Sequence, residues 1–298
     1  GDGETMSTKD DSQGKPSVES EQPVAAPEQN TQDAELSKET STNTENSKSE
    51  IMVPFETSDV SSFSIERRFA DMALHTEAVL GLQEKGYVMA SRYQQAILSC
   101  VLKGKDCWIN ARLSSNRGVA FGAYLADTAF CAEGKPAVLV CSVISEVRRN
   151  LSQDIADWSI FTNVNVAVLQ KEITDAHTVN IEEEAKVLVA SPTNLWQLYQ
   201  REQLDLSDVK VLYLDEAEKL CNPDQAEALS NLLKVMPSAP QLIVQTTTVS
   251  SKTYEVISSW APALKPINLE KQSTSEKRRY CIDEQYSFER LQALLEAD

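Results

Sequence analysis

The sequence predicts an α/β domain, a parallel sheet with helices on both faces, preceded by a disordered acidic tail. Largely apolar runs recur at Cys107–Ala111, Ala137–Cys141, Val164–Leu169, Lys186–Ala190, Val209–Leu214 and Gln241–Gln245, interrupted inside by Asn110, Asn165 and Lys210. Such runs mark strands buried on both sides rather than strands with one wet face. Between them stand stretches with apolar residues at helical spacing, and strand–helix alternation of this kind builds parallel sheets. Residues 1–50, by contrast, hold no aromatic and almost no large apolar side chain. A segment of that composition cannot bury enough surface to offset the entropy of ordering.

Taken in order, Ile65–Gln83 has helical spacing (Ile65, Phe69, Met72, Leu74, Val79, Leu82), and Gly86 suits a helix C-terminal cap. Arg92–Leu102 reads as a second amphipathic helix, closed by Lys103-Gly104-Lys105. After the run Cys107–Ala111 come helical stretches at Val119–Cys131 and, past the Gly134-Lys135-Pro136 turn and the next strand, at Ser145–Trp158. Ile181–Glu184 is an acidic helix or turn. Pro192 opens a helix through Gln200, at a position where its missing N–H is harmless. Gln225–Met236 and Thr253–Trp260 complete the helices, and Pro266–Leu269 is the last strand of the domain. The division that follows is a tail over 1–52, a domain over 53–270, and a linker leading into the start of another domain over 271–298.

The formal net charge is −17. The tail to residue 50 has 12 acidic and 4 basic residues, so −8 of that charge lies there and −9 elsewhere. An acidic chain does not grip nucleic acid through its overall field. Arg148-Arg149 and Lys277-Arg278-Arg279 are the tight basic clusters, and each reads as a solvated face. No run of 18 apolar residues exists and the first 30 residues lack a signal-peptide pattern, so an intracellular, cytoplasmic setting without membrane contact is expected. The six cysteines form no CxxC pair and read as buried reduced thiols. His75 and His177 have no ligand-type neighbour in the sequence, so no zinc site is expected.

The chemistry gathers at Asp215-Glu216-Ala217-Glu218, directly after the apolar run ending at Leu214. Carboxylates at the C-terminal end of a parallel strand stand where α/β sheets take their ligands. In nucleotide hydrolases such a pair serves Mg²⁺ and orients the attacking water. The matching glycine-rich phosphate loop is expected earlier. In its place stands Ala111-Arg112-Leu113-Ser114-Ser115-Asn116-Arg117-Gly118.

The order of elements and these motifs resembles the first RecA-like domain of DEAD-box RNA helicases, closest to the translation-initiation type. The resemblance runs from Phe69 to Leu269. Gly86-Tyr87 with Gln94 is similar to the family's Q motif, and Phe69, seventeen residues before Gly86, stands at its upstream aromatic. The resemblance implies that Phe69 packs on adenine and that Gln94 reads its edge, while Ala90 replaces the usual Pro. It also implies that Arg117 stands for the phosphate-binding Lys. Arg keeps the charge as a planar fork rather than a compact point. Asp215 becomes the Mg²⁺ residue through water, and Glu216 the catalytic carboxylate.

Departures are concentrated at ligand contacts. Ser114 and Asn116 replace loop glycines that let backbone N–H groups turn inward to an anion. Gly118 replaces the Ser/Thr whose hydroxyl binds Mg²⁺. Ser142-Val143-Ile144-Ser145 stands for Pro-Thr-Arg-Glu, Ser191-Pro192-Thr193-Asn194 for Thr-Pro-Gly-Arg, and the glycine pair near Gln170-Lys171 is missing. Losing both Arg positions weakens the hold on a single strand. Thr246-Thr247-Thr248 replaces Ser-Ala-Thr, and the longer Glu218, where the family has Asp, requires a rearranged bond to it.

The expected function is a catalytically silent helicase-like domain acting as a protein scaffold in RNA–protein assemblies, in RNA silencing or translational control. No cofactor is expected beyond weak ATP with Mg²⁺, and RNA binding is expected to be weak. The alternatives are a divergent active RNA helicase and an adenine-nucleotide binder without hydrolysis. Gly1 in place of Met, together with a C-terminal stretch resembling the start of a second RecA-like domain, leads us to expect a longer parent protein.

Overall fold

In the computed structural model, which describes residues 53–111, 117–174 and 184–270, the apolar runs become strands of one sheet. The strands are β1 (Glu56–Asp59), β2 (Cys107–Asn110), β3 (Val138–Cys141), β4 (Asn165–Val168), β5 (Ala185–Ala190), β6 (Val211–Leu214), β7 (Gln241–Thr246) and β8 (Pro266–Glu270). The helices are α1 (Thr76–Glu84), α2 (Arg92–Val101), α3 (Arg117–Cys131), α4 (Ser145–Trp158), α5 (Pro192–Gln200), α6 (Pro223–Val235) and α7 (Ser251–Trp260). The strand order is β1-β8-β2-β7-β6-β3-β5-β4, and every neighbouring pair is parallel. Expectations for the tail, for residues 112–116 of the phosphate loop, for most of the acidic stretch before Glu184, for His177, and for everything past Glu270 lie outside the described residues.

Strand side chains alternate between faces with period two, and here the alternation sorts them into two cores. Ile109, Val138, Val140, Val187, Val189, Val211, Tyr213 and Ile243 join the core that includes α2, α3 and α4 residues. Trp108, Leu139, Cys141, Leu188, Ala190, Leu212, Leu214, Leu242 and Val244 join the second, with residues of α5, α6 and α7. The centre of the sheet is therefore dry on both sides, as the apolar runs predict.

The N-terminal region departs from the sequence reading. The apolar spacing through Ile65–Gln83 does not form one helix: Phe69–Asp71 is a short 3-10 turn and α1 begins only at Thr76. Phe69 and Met72 are instead buried from an irregular segment, so a 3.6-like spacing arises here without a helix. The far end of α1 agrees with expectation. Gly86 takes φ +88°, the Tyr87 N–H donates to Leu82 O, and the Gly86 N–H donates to Gln83 O. Those two bonds close the helix in a Schellman cap, for which glycine's freedom at positive φ is required. β1 is an addition: its polar sequence carries no apolar run, yet its backbone pairs with β8 at the sheet edge.

Candidate functional site

Asp215 leaves β6 with its N–H still donating to Cys141 O of β3, so the acidic motif starts as an extension of the ladder. The chain then turns sharply: Glu216 adopts φ 45° and ψ 56°, the left-handed region that non-glycine residues rarely hold. Gln245 in β7 fixes this turn, accepting from the Glu216 N–H at 2.8 Å while its own amide donates to Ala111 O at 3.2 Å. One buried side chain thus ties the acidic motif to the last described residue before the phosphate-loop stretch.

Both carboxylates face Arg117, the first residue of α3. Its Nη2 lies 3.9 Å from Asp215 Oδ2 and 3.9 Å from Glu216 Oε1, and all three residues are buried. The second partner of Asp215 is Tyr213, whose hydroxyl donates to Oδ1 at 2.6 Å. Tyr213 is in turn packed on Phe121 of α3, ring centroids 5.0 Å apart. Burial raises the Asp215 pKa, with Arg117 and Tyr213 opposing it. Burial and then Asp215 push the Tyr213 phenol well above its usual range, so it remains a donor. Glu216 has a further cation in Lys219, 3.4 Å away.

The structure therefore brings together three of the residues singled out in the sequence: Arg117, Asp215 and Glu216. Their oxygens are of the kind Mg²⁺ prefers, and Asp215 Oδ2 has no hydrogen-bond donor. Against that, Gly118 supplies no hydroxyl, and a buried guanidinium stands 3.9 Å from both carboxylates. The charge that a divalent ion would neutralise is already balanced by the protein. This donor set fits a resident Mg²⁺ poorly.

Phe69 and Gln94 are placed elsewhere in the local bonding. Phe69 is wholly buried in the core, and its N–H donates to Val88 O. A ring without an exposed face has none for a purine in this conformation. Gln94 is the third residue of α2 and completes a capping box: its Oε1 accepts from the Ser91 N–H at 2.9 Å, and its N–H donates to Ser91 Oγ. Glu218 reaches the segment after β7 by a route that the sequence does not specify, accepting from the backbone N–H groups of Thr247 at 3.0 Å and Thr248 at 3.4 Å.

The corner expected to face RNA is bonded to itself. Arg148, read from the sequence as a solvated cation, is buried; its guanidinium donates to Ser142 O and to Gln170 through both Oε1 and O. Successive helix positions diverge by about a quarter turn, so Arg149 is exposed while Arg148 turns inward. Asn194 is also buried, accepting from the Ile173 N–H and donating to Lys171 O. Glu172, an exposed acid, accepts from the hydroxyls of Ser191 and Thr193. Tyr213 and Gln245 escape the sequence reading, and Arg148 lies on the opposite side of its helix from the one expected. Tyr213 carries one usable signal, a hydroxyl inside the otherwise apolar stretch Val211–Leu214.

Two expectations about cysteine and histidine need correction. Cys107 and Cys141 are buried free thiols, but Cys131 is exposed at the end of α3. His75 has no ligand-type neighbour along the chain, yet the fold sets Asp127 and Cys131 beside it. Among the described residues, no helix is long and apolar enough to cross a membrane.

The DEAD/DEAH box helicase family model matches residues 91–256. The chain is similar to the ATP-dependent RNA helicase DbpA of Bacillus subtilis, 22% identical over 171 residues, covering 57% of this chain and 36% of that protein. It is 24% identical over 203 residues to the ATP-dependent RNA helicase me31b of Drosophila melanogaster, covering 66% and 44%. For eukaryotic initiation factor 4A of Dictyostelium discoideum the figures are 22% over 205 residues, covering 68% and 50%. The chain thus spans half or less of the length of these relatives. Among solved structures, S. cerevisiae Dbp5 bound to RNA and ADP BeF3 superposes with a TM-score of 0.60 at 18% identity, covering 69% of this chain and 52% of that one. A DEAD box protein from Methanococcus jannaschii gives 0.58 at 15% identity, covering 68% and 56%. These structural likenesses carry the RecA-like fold alone.

Proposed function

The chain belongs to the DEAD/DEAH box helicase family, and from that premise we propose that it is a catalytically silent member serving as a protein-binding scaffold in RNA–protein assemblies. The observation that carries this reading is the seating of Arg117 between Asp215 and Glu216. A cation expected to face phosphate is there paired internally, and Gly118 provides no hydroxyl for a metal. A charge pair in a dry site is costly to open, because each partner left alone is a desolvated ion.

Two further features support loss of the RNA contact. Asn194 stands at an expected Arg position and is committed to Lys171 and Ile173. Glu172 adds negative charge beside Ser191 and Thr193, where a phosphate backbone would be repelled. Protein partners fit what is recorded for one relative: S. cerevisiae Dbp5 has been solved bound to Nup159, Gle1, IP6 and ADP. By analogy, the surface of this domain, rather than its nucleotide cleft, holds its partners.

A second reading keeps adenine nucleotide without hydrolysis. What favours it is the retention of Asp215, Glu216 and Gln94 in a family domain whose relative Dbp5 is solved with nucleotide. Hydrolysis of Mg·ATP, measured with and without single-stranded RNA, tests the main reading. We expect no RNA-stimulated turnover from the protein, including whatever polypeptide follows residue 298. Turnover that disappears in Glu216→Gln would establish an active helicase instead. Saturable thermal stabilisation by nucleotide without turnover would favour the second reading, since ligand at 100 times its Kd stabilises by about 2.7 kcal/mol.

A further inference from the structure

His75 is the residue just before α1, while Asp127 and Cys131 lie four residues apart on α3. Residues at that spacing share one helix face, a turn apart. The packing of α1 against α3 brings the three side chains to one point. His75 Nδ1 is 3.0 Å from Asp127 Oδ1 and 3.3 Å from Cys131 Sγ, and the ligand atoms of all three lie within 4.8 Å of one another. Asp127 is 6% exposed, and its Oδ1 also accepts from the His75 N–H at 2.8 Å. The carboxylate is thereby fixed, whereas His75 and Cys131 are open to solvent.

Zinc bonds to N, O and S donors are about 2.0–2.3 Å long, which sets the edges of a coordination tetrahedron at about 3.3–3.8 Å. The His75–Cys131 separation of 3.3 Å meets the lower edge of that range, and the His75–Asp127 separation of 3.0 Å is a hydrogen bond that must lengthen slightly for both atoms to take one cation. An imidazole nitrogen, a thiolate and a carboxylate oxygen form a mixed set that suits the borderline cations zinc and cobalt(II) rather than calcium or magnesium. We propose that His75, Asp127 and Cys131 bind one divalent cation of the zinc class, with a fourth position left to water. Binding expels the Cys131 thiol proton to solvent and leaves Sγ as thiolate. The site lies apart from Arg117, Asp215 and Glu216, and the proposed function makes no use of it.

Cobalt(II) titration of the whole chain under reducing conditions tests the proposal. We expect thiolate-to-cobalt charge-transfer absorption and the visible bands of four-coordinate cobalt, saturating at a single ion and bleached by zinc. Cys131→Ser should abolish the charge-transfer band, and Cys100→Ser should leave it intact. His75→Gln should weaken binding by more than the roughly 10–100-fold that outer-sphere changes cost. Because His75 and Cys131 are exposed, both variants are expected to fold, which circular dichroism would verify. The proposal is overturned if wild-type protein gives no such band, if the band survives Cys131→Ser, or if His75→Gln binds cobalt as tightly as wild type.

Discussion

Tyr213, Asp215 and Arg117 form a chain of dependence in which each side chain has a checkable energetic role. Tyr213→Phe leaves Asp215 Oδ1 without its donor, and an orphaned buried acceptor costs about 1–3 kcal/mol. Chemical denaturation should show that loss with little change in transition slope. Arg117→Met is the sharper probe, because it leaves two buried carboxylates without their shared cation. Breaking a buried pair this way costs about 3–5 kcal/mol. With Arg117 gone, the already raised Asp215 pKa should climb further. A raised carboxyl contributes stability that is present at low pH and lost as pH rises through its folded value. The deficit of Arg117→Met should therefore widen from acid to neutral pH, and an equal deficit at both ends would contradict the pairing. The sequence names Asp215, Glu216 and Arg117 as a set because their motif positions are far from random. It does not reveal Arg148 as buried, since two adjacent arginines look alike until the helix face is known.

Helix packing supplies a different kind of test. Gly81 in α1 faces the backbone of Trp158 at the end of α4, and a Cβ there would overlap its carbonyl. Gly81→Ala should therefore destabilise by about 1–3 kcal/mol through overpacking, although alanine is the better helix former. Asp154 in α4 is a second element-scale probe. Burial, with Asp157 beside it, raises its pKa to about 6 from 3.8. Its contribution should be fully present below pH 3.8 and be lost as pH rises through about 6. Unfolding free energies across that window should fall for the wild-type chain more steeply than for Asp154→Asn; parallel curves would refute the assignment. The strands β3, β5 and β6 are legible to within a residue or two because burial on two faces leaves little freedom of composition, and α4 because Leu151, Ile155 and Trp158 recur at helical spacing. β1 was not, since an edge strand of Glu-Thr-Ser-Asp is specified by its partner β8 rather than by its own side chains. The false helix before Thr76 has the same origin: spacing alone does not distinguish a helix from an irregular segment whose apolar residues point into a core.

At the scale of the whole molecule, a net charge of −17 and the self-bonded corner around Arg148, Asn194 and Glu172 act in the same direction. Single-stranded RNA should bind weakly even at low salt, and removing residues 1–52 should strengthen binding by relieving long-range repulsion. Tight binding by the full chain, measured by fluorescence anisotropy, would contradict this. Family and fold were readable from the order of motifs along the chain. The internal pairing of the ligand-facing groups was not, because it depends on which distant side chains the sheet order sets side by side. Calorimetric titration of Mg·ATP into the protein tests the central claim, that Arg117 holds the acidic pair in place of a nucleotide-bound metal. No Mg²⁺-dependent binding heat is expected. Saturable binding that requires Mg²⁺ and vanishes in Asp215→Ala would contradict it.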